Sequence, residues 1–450
     1  MSLEHRVQDL MGRARTDLGE LVAIPSVADP RQYPPEECLK AATWVVDRFA
    51  EVGFTGLSLR ETSDGSKAVY GERPAAGPDA PTVLLYAHYD VQPPLDDQAW
   101  HTPPFQLTEV NGRWYGRGAA DCKGNIVMHL TALRALGNDV PVNLKLIVEG
   151  SEEQGTGGLE DFVERHPDLL RADAILVCDT GNAAVGVPAA TVTLRGMVNL
   201  VVSVEALDGE LHSGMFGGAA PDALAALVQI LSTLRDRAGN TTIAGLAHDQ
   251  TWHGAPYPPE QFRADIGLVD GAGLLGDGTV SDMLWARPAV TVLGIDCPPV
   301  VGSAAAIQPR SRARINLRVP PGTDAVKAQD ALIAHLHAAA PWGVRVSVEP
   351  EALGQPFEAR TGGPAYRALS AAMLEAFGRE MTTLGQGGSI PLCNVFARTY
   401  PDAEIILMGV EEPLALIHAP NESVDPGEIA RLALAEAQFL KRYSLQRYRG

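Results

Sequence analysis

Apolar residues recur along this chain in two rhythms. Val7, Leu10, Met11, Ala14, Leu18, Leu21 and Val22 repeat at helical spacing, so the chain is expected to open with an amphipathic helix. TVLLYAHYD, VNLKLIVEGSEE and ADAILVCD are instead short continuous apolar runs rich in Val, Ile and Leu. Such runs read as buried strands of a parallel sheet. CKGNIVMHLTALRALG, between two of them, reads as a helix that stops at Gly137. Strand and helix signals alternate to about residue 193, which predicts a layered α/β domain.

The texture then changes. VNLVVSVEA (198–206), AVTVLGI (289–295), RARINLRV (312–319) and VRVSVEP (344–350) read as strands. Leu224, Leu227, Val228, Leu231 and Leu234 mark a helix between the first two, and Asp324 opens another after the third. The order β-α-β-β-α-β is the ferredoxin-like pattern. Residues 240–287 are rich in Gly and Pro and give no clear assignment. The α/β alternation resumes after about 354, and Asp425-Pro426 opens the last helix. The predicted organisation is an α/β catalytic domain with a mostly parallel central sheet (1–193 and 354–450). It is interrupted by an inserted α+β domain (194–353).

A chain of 450 residues fits two domains. Its formal net charge of −19 disfavours nucleic acid and anionic membranes as partners. Five cysteines with no CxxC pair argue against a disulfide framework and for a reducing, cytoplasmic setting. The first residues carry no signal-peptide core, and no apolar run approaches a membrane span.

The three apolar runs end in chemistry. The first delivers His88 and Asp90, the second Glu152 and Glu153, the third Asp179. Ligand sites of open α/β sheets lie beyond the carboxyl ends of the strands, so these groups are expected at one edge. His88 and Asp90, at i and i+2, face the same way, and a metal-bound His usually gives its second ring nitrogen to a carboxylate. Adjacent glutamates point apart, so one can bind metal while the other serves as general base for the attacking water. The pairs Glu36-Glu37 and Glu411-Glu412 read as solvated surface. Asp121 lies between a Gly-rich turn and a helix, where a carboxylate can present one oxygen to each of two ions or simply cap the helix. Asp179 would equally suit a turn, and His418 lies in a loop before the last helix.

HYDVQPP, YGRGAADCKGN, EGSEEQGTGG, the strand ending in Asp179, ELHSGMFGG, GGSIP and IHAPNES occur in the order of a co-catalytic zinc peptidase family. That family includes carnosinase, cytosolic non-specific dipeptidase, aminoacylase, acetylornithine deacetylase and succinyl-diaminopimelate desuccinylase, and the chain most resembles the dipeptidase branch. The resemblance implies two divalent ions, zinc first and manganese or cobalt as alternatives. His88 and Asp179 would hold one, Glu153 and His418 the other, and Asp121 would bridge them. Glu152 would be the general base and Asp90 would orient His88. The inserted domain would be a lid that makes a homodimer, with His212 reaching the partner's active site to polarise the scissile carbonyl. Arg318, Ser389 and its neighbour Gly388 would hold the free carboxylate of a small peptide. An N-acyl-amino-acid deacylase would use the same machinery, and an inactive metal-binding interaction module is the alternative outside enzymes.

The chain departs from the family at several points. Cys122 stands where many members have a second Asp, at a peptide bond typically cis in the family. Gly385-Gln386 replaces the Arg-Glu of REGGSIP, and Ala304-Ala305-Ala306 stands where a Thr is frequent. These changes leave the metal set intact and bear on substrate choice.

Overall fold

The computed structural model describes residues 1–75, 77 and 79–446. The chain divides into two units: Met1–Val192 with Ala359–Leu384 and Pro391–Gly450, and Thr193–Glu358 with Gly385–Ile390.

The first unit is built on a mixed sheet. Its strands run in the order Thr55–Glu61, Lys67–Arg73, Asn143–Glu149, Thr82–His88, Ala174–Cys178, Glu404–Met408, Ala189–Leu194. The four from Asn143–Glu149 to Glu404–Met408 are mutually parallel, and the flanking ones are antiparallel. In Thr82–His88 every residue after the first is buried, as are all five of Ala174–Cys178, which is why these strands read as continuous apolar runs. The Leu3–Val22 helix buries Val7, Ala14, Leu18, Leu21 and Val22, while Leu10 and Met11 are only partly covered. The Lys123–Leu136 helix is buried along almost its whole length and ends at Gly137, whose φ of 60° suits a residue without Cβ.

The second unit has an antiparallel sheet in the order Ala289–Asp296, Arg310–Val319, Gly196–Glu205, Arg345–Gly354. Burial alternates residue by residue along Gly196–Glu205, so one face is covered. The helices Ala223–Ser232 and Ala325–Ala338 bury Leu227, Ile230, Leu332 and Leu336 in the same apolar cluster as Val198, Leu200 and Ile315. Asp222 and Asp324 cap these helices with their side chains. This is the ferredoxin-like arrangement. The unassigned stretch holds a helix at Pro259–Asp265 and a π-helical turn at Asp282–Ala286, organised around Trp252, Tyr257, Phe262 and Trp285. Aromatic residues spaced irregularly give no periodic signal. Among the described residues no helix is long and apolar enough to cross a membrane.

Candidate metal centre

Three parallel neighbours in the sheet carry the acidic ends and the histidine to one edge. The His88 strand lies between the strand leading to Glu152-Glu153 and the strand leading to Asp179. His88 Nε2 lies 2.9 Å from Asp121 Oδ1 and 3.0 Å from Asp179 Oδ1. His418 Nε2 lies 2.9 Å from Asp121 Oδ2 and 3.2 Å from Glu153 Oε2. Asp121 therefore turns one oxygen to each histidine. His88, Asp121 and Asp179 are buried, whereas the His418 side chain is 52% exposed.

Each of these groups is positioned by its surroundings. Asp121 is joined to Cys122 by a cis peptide bond, and Cys122 precedes the Lys123–Leu136 helix. Asp121 is thus not the helix cap that its position also suggested. Glu422 accepts from the backbone N–H groups of Gly118, Ala120 and Asp121 at 2.9, 3.0 and 3.1 Å, and pairs with buried Arg117 at 2.7 Å. The Asp90 carboxylate accepts from the N–H groups of Glu152 and Glu153 at 3.2 and 3.1 Å. His88 Nδ1 is nearer the Asp90 carbonyl oxygen, at 3.0 Å, than its carboxylate, at 3.4 Å. Asp90 thus grips the glutamate turn with its carboxylate and His88 chiefly with its backbone.

The glycines of EGSEEQGTGG are explained by that turn. Gly155 and Gly157 have φ of 58° and 74°. A Cβ on Gly150 would lie 2.1 Å from the Tyr89 hydroxyl, and one on Gly158 would lie 2.5 Å from Asp64 Cγ.

Two carboxylates were not legible as site groups. Glu411 and Glu412 are buried, so the reading of this pair as solvated surface is corrected. Glu412 accepts from Arg113 at 2.5 Å and from the Leu414 N–H at 2.8 Å. Glu411, just past the fourth parallel strand, has an oxygen within 4.8 Å of oxygens of Asp121 and Asp179. Glu422 lies in IHAPNES, but only the fold reveals that it holds the Asp121 loop. Pairing of Gly181 with Glu411 brings the pair inward, and a contact so distant in sequence leaves no local pattern.

The electrostatics point to cations. Burial, then the charge of Asp179, pushes Glu152 well above the ordinary carboxylate range. Burial, then Asp121, raises Glu153. Glu411 is raised by burial and by Asp121 and Asp179. Glu153 Oε1 is buried without a hydrogen-bond partner. Cys122 donates its Sγ–H to the Cys178 carbonyl at 2.9 Å, and burial pushes its thiol up; its Sγ also lies within 4.8 Å of ligand atoms of His88 and Asp179. The ligand atoms of Asp121, Glu153 and His418 form one cluster within 4.8 Å, and Asp121 also belongs to a second with Asp179 and Glu411. Clustered buried carboxylates with two imidazoles fit divalent cations. His212, Arg318, Gly388 and Ser389 belong to the second unit. There His212 is exposed, pairs with Ala306 on a two-residue strand, and accepts from the Gly214 N–H at 3.1 Å.

Comparison with known proteins agrees with this chemistry. The model of peptidase family M20/M25/M40 matches residues 84–442. A cysteinylglycine-S-conjugate dipeptidase of Corynebacterium striatum is 43% identical, over 95% of this chain and 94% of that protein. A beta-Ala-His dipeptidase of Rattus norvegicus is 31% identical over 77% of this chain and 74% of its own length. The crystal structure of human carnosine dipeptidase 1 superposes with a TM-score of 0.80 at 25% identity, covering 98% of both chains. With its ordered motifs, its parallel-sheet edge and its paired histidines around one aspartate, the chain belongs to peptidase family M20/M25/M40 and is a metal-dependent hydrolase.

Proposed function

We propose that this protein is a metal-dependent dipeptidase acting on small peptides with a free carboxylate. The observation that carries the reading is Asp121, with Oδ1 facing His88 and Oδ2 facing His418. The dipeptidase relatives support the substrate class. His88 and Asp179 would hold one ion, Glu153 and His418 the other, with Asp121 between them. Zinc is the first expectation, with manganese or cobalt as alternatives. Ions bound there supply Lewis-acid polarisation of a carbonyl and of water.

The chain's own groups do the rest. Glu152 takes a proton from the attacking water at its carboxylate and returns it to the leaving amine. Its burial favours the protonated form, the direction that lets a carboxylate hand a proton on to a leaving amine. Asp90 keeps the base and the ligand glutamate turned apart by holding both of their N–H groups. We read the second unit as the lid and dimerisation domain, with His212 stabilising the oxyanion in a partner's site. Arg318, Gly388 and Ser389 are assigned to the substrate carboxylate; the planar guanidinium suits two oxygens at once. Five free cysteines fit a cytoplasmic setting.

The test is turnover by metal-reconstituted protein on dipeptides beside N-acetyl and N-succinyl amino acids. Dipeptides should be preferred by at least about tenfold in kcat/KM. Turnover of acyl-amino acids alone would replace this reading with a deacylase, and no turnover of either class would leave a metal-binding module.

A further inference from the structure

The second unit contains a buried cation with no anion. Arg195 lies just before the Gly196–Glu205 strand and is 8% exposed. Its backbone N–H donates to the Gln386 carbonyl at 3.2 Å. Its guanidinium lies so close to Gly387 that a Cβ there would stand 2.8 Å from Nη2. Yet Nε and Nη1 are both buried without a hydrogen-bond partner. Arg318 is close by, because it pairs with Met197, two residues along from Arg195. Burial, then the Arg318 charge, disfavours the charged form of Arg195. Among the described residues neither arginine makes an ion pair, although the chain carries 55 acidic side chains against 36 basic ones.

The surrounding loop is built for close approach. A Cβ on Gly385 would meet Trp285 Cβ at 2.5 Å and Thr193 Oγ1 at 2.9 Å. Trp285 and Thr193 therefore leave no room for a Cβ at position 385, where REGGSIP has Arg; the change to Gln386 has no structural explanation. Gln386 Oε1 is also buried without a partner. A guanidinium left buried and unpaired is costly, and an arriving anion removes that cost. A planar fork of free N–H donors beside a second arginine matches a carboxylate.

We propose that Arg195 is a specificity-determining residue, a second guanidinium beside Arg318 that binds the free carboxylate of the substrate. The inference rests on the dipeptidase reading and deepens it: the enzyme discriminates a free acid from its amide through two arginines.

The test compares kcat and KM for Cys-Gly and for its C-terminal amide in the wild type, R195Q and R195K, with metal content and thermal midpoint measured alongside. R195Q should raise KM for Cys-Gly by about 10- to 100-fold and leave kcat within about threefold. Its KM for the amide should stay within about twofold of wild type. R195K, a point charge without the fork, should fall between. A folded, metal-loaded R195Q with the wild-type acid-to-amide ratio would overturn the proposal. If R195Q fails to load metal, R195K decides, and an unchanged ratio there overturns it. Wild-type protein that cleaves neither Cys-Gly nor any other dipeptide would instead sink the dipeptidase reading, and this inference with it.

Discussion

Asp64 is remote in sequence from the glutamate turn but holds it from below. It accepts from the hydroxyls of Thr62 and Ser151, each at 2.6 Å, from the Ser66 N–H at 2.9 Å, and from Thr156. Burial works against its charge, but the Ser151, Thr156 and Thr62 donors outweigh it and hold Asp64 below the ordinary carboxylate range. A depressed folded-state value means that its contribution is full above the unfolded pKa and is lost as pH falls through the folded one. Asp64→Asn should cost about 1 kcal/mol at pH 7, discounted for exposure, with the gap to wild type narrowing below about pH 4. Urea unfolding at several pH values checks this. Glu152→Gln should keep wild-type metal content in elemental analysis while lowering kcat by about 10²–10⁴-fold. Near-normal turnover in that variant would remove Glu152 as the base. At this scale the sequence disclosed the groups that follow apolar runs, namely His88, Glu152, Glu153 and Asp179. It concealed Glu411, Glu422 and Asp64, because the groups that tie them to the site, Ser151 and Thr156 in the case of Asp64, lie far along the chain.

Four adjacent parallel strands bring Glu152-Glu153, His88, Asp179 and Glu411 to one edge. The first three were legible because strands buried on both faces are largely apolar, Lys145 being the exception in Asn143–Glu149, so their polar termini stand out. The position of Glu404–Met408 beside Ala174–Cys178 was not, since the strand order of a sheet is set by long-range pairing. The edge depends on close backbone approach after the Asp179 strand. A Cβ on Gly181 would lie 1.9 Å from the Glu411 carbonyl oxygen, which also accepts from the Asn182 N–H at 2.8 Å. Gly181→Ala should therefore destabilise the protein by more than about 2 kcal/mol and weaken metal binding together with stability. Thermal unfolding and metal titration of the same variant test the pair, and wild-type values in both would show that the strands tolerate separation there.

The whole molecule carries net charge −19, part of it in the buried carboxylates of the metal centre, which bound dications would neutralise. Chelation should accordingly lower the thermal midpoint as well as abolish turnover, because ions that bind the folded state alone stabilise it. If His212 serves a partner's site, mixing His212→Ala with Glu152→Gln chains should restore activity in verified heterodimers, up to about one half of wild type because one of the two sites is intact. No recovery would confine each site to one chain. An α/β rhythm that gives way to a β-α-β-β-α-β one and then returns predicts an inserted domain over 194–353. The second unit also takes in the chain through Glu358 and the segment Gly385–Ile390, which that rhythm puts in the α/β domain, because their contacts are with residues distant in sequence. The aromatic knot around Trp285 was not legible, for want of any period. The most direct measurement is anomalous diffraction from crystals of zinc-loaded protein. The account predicts two ions per chain bridged by Asp121, one beside His88 and Asp179, the other beside Glu153 and His418. A single ion, or ions bound away from Asp121, would contradict it.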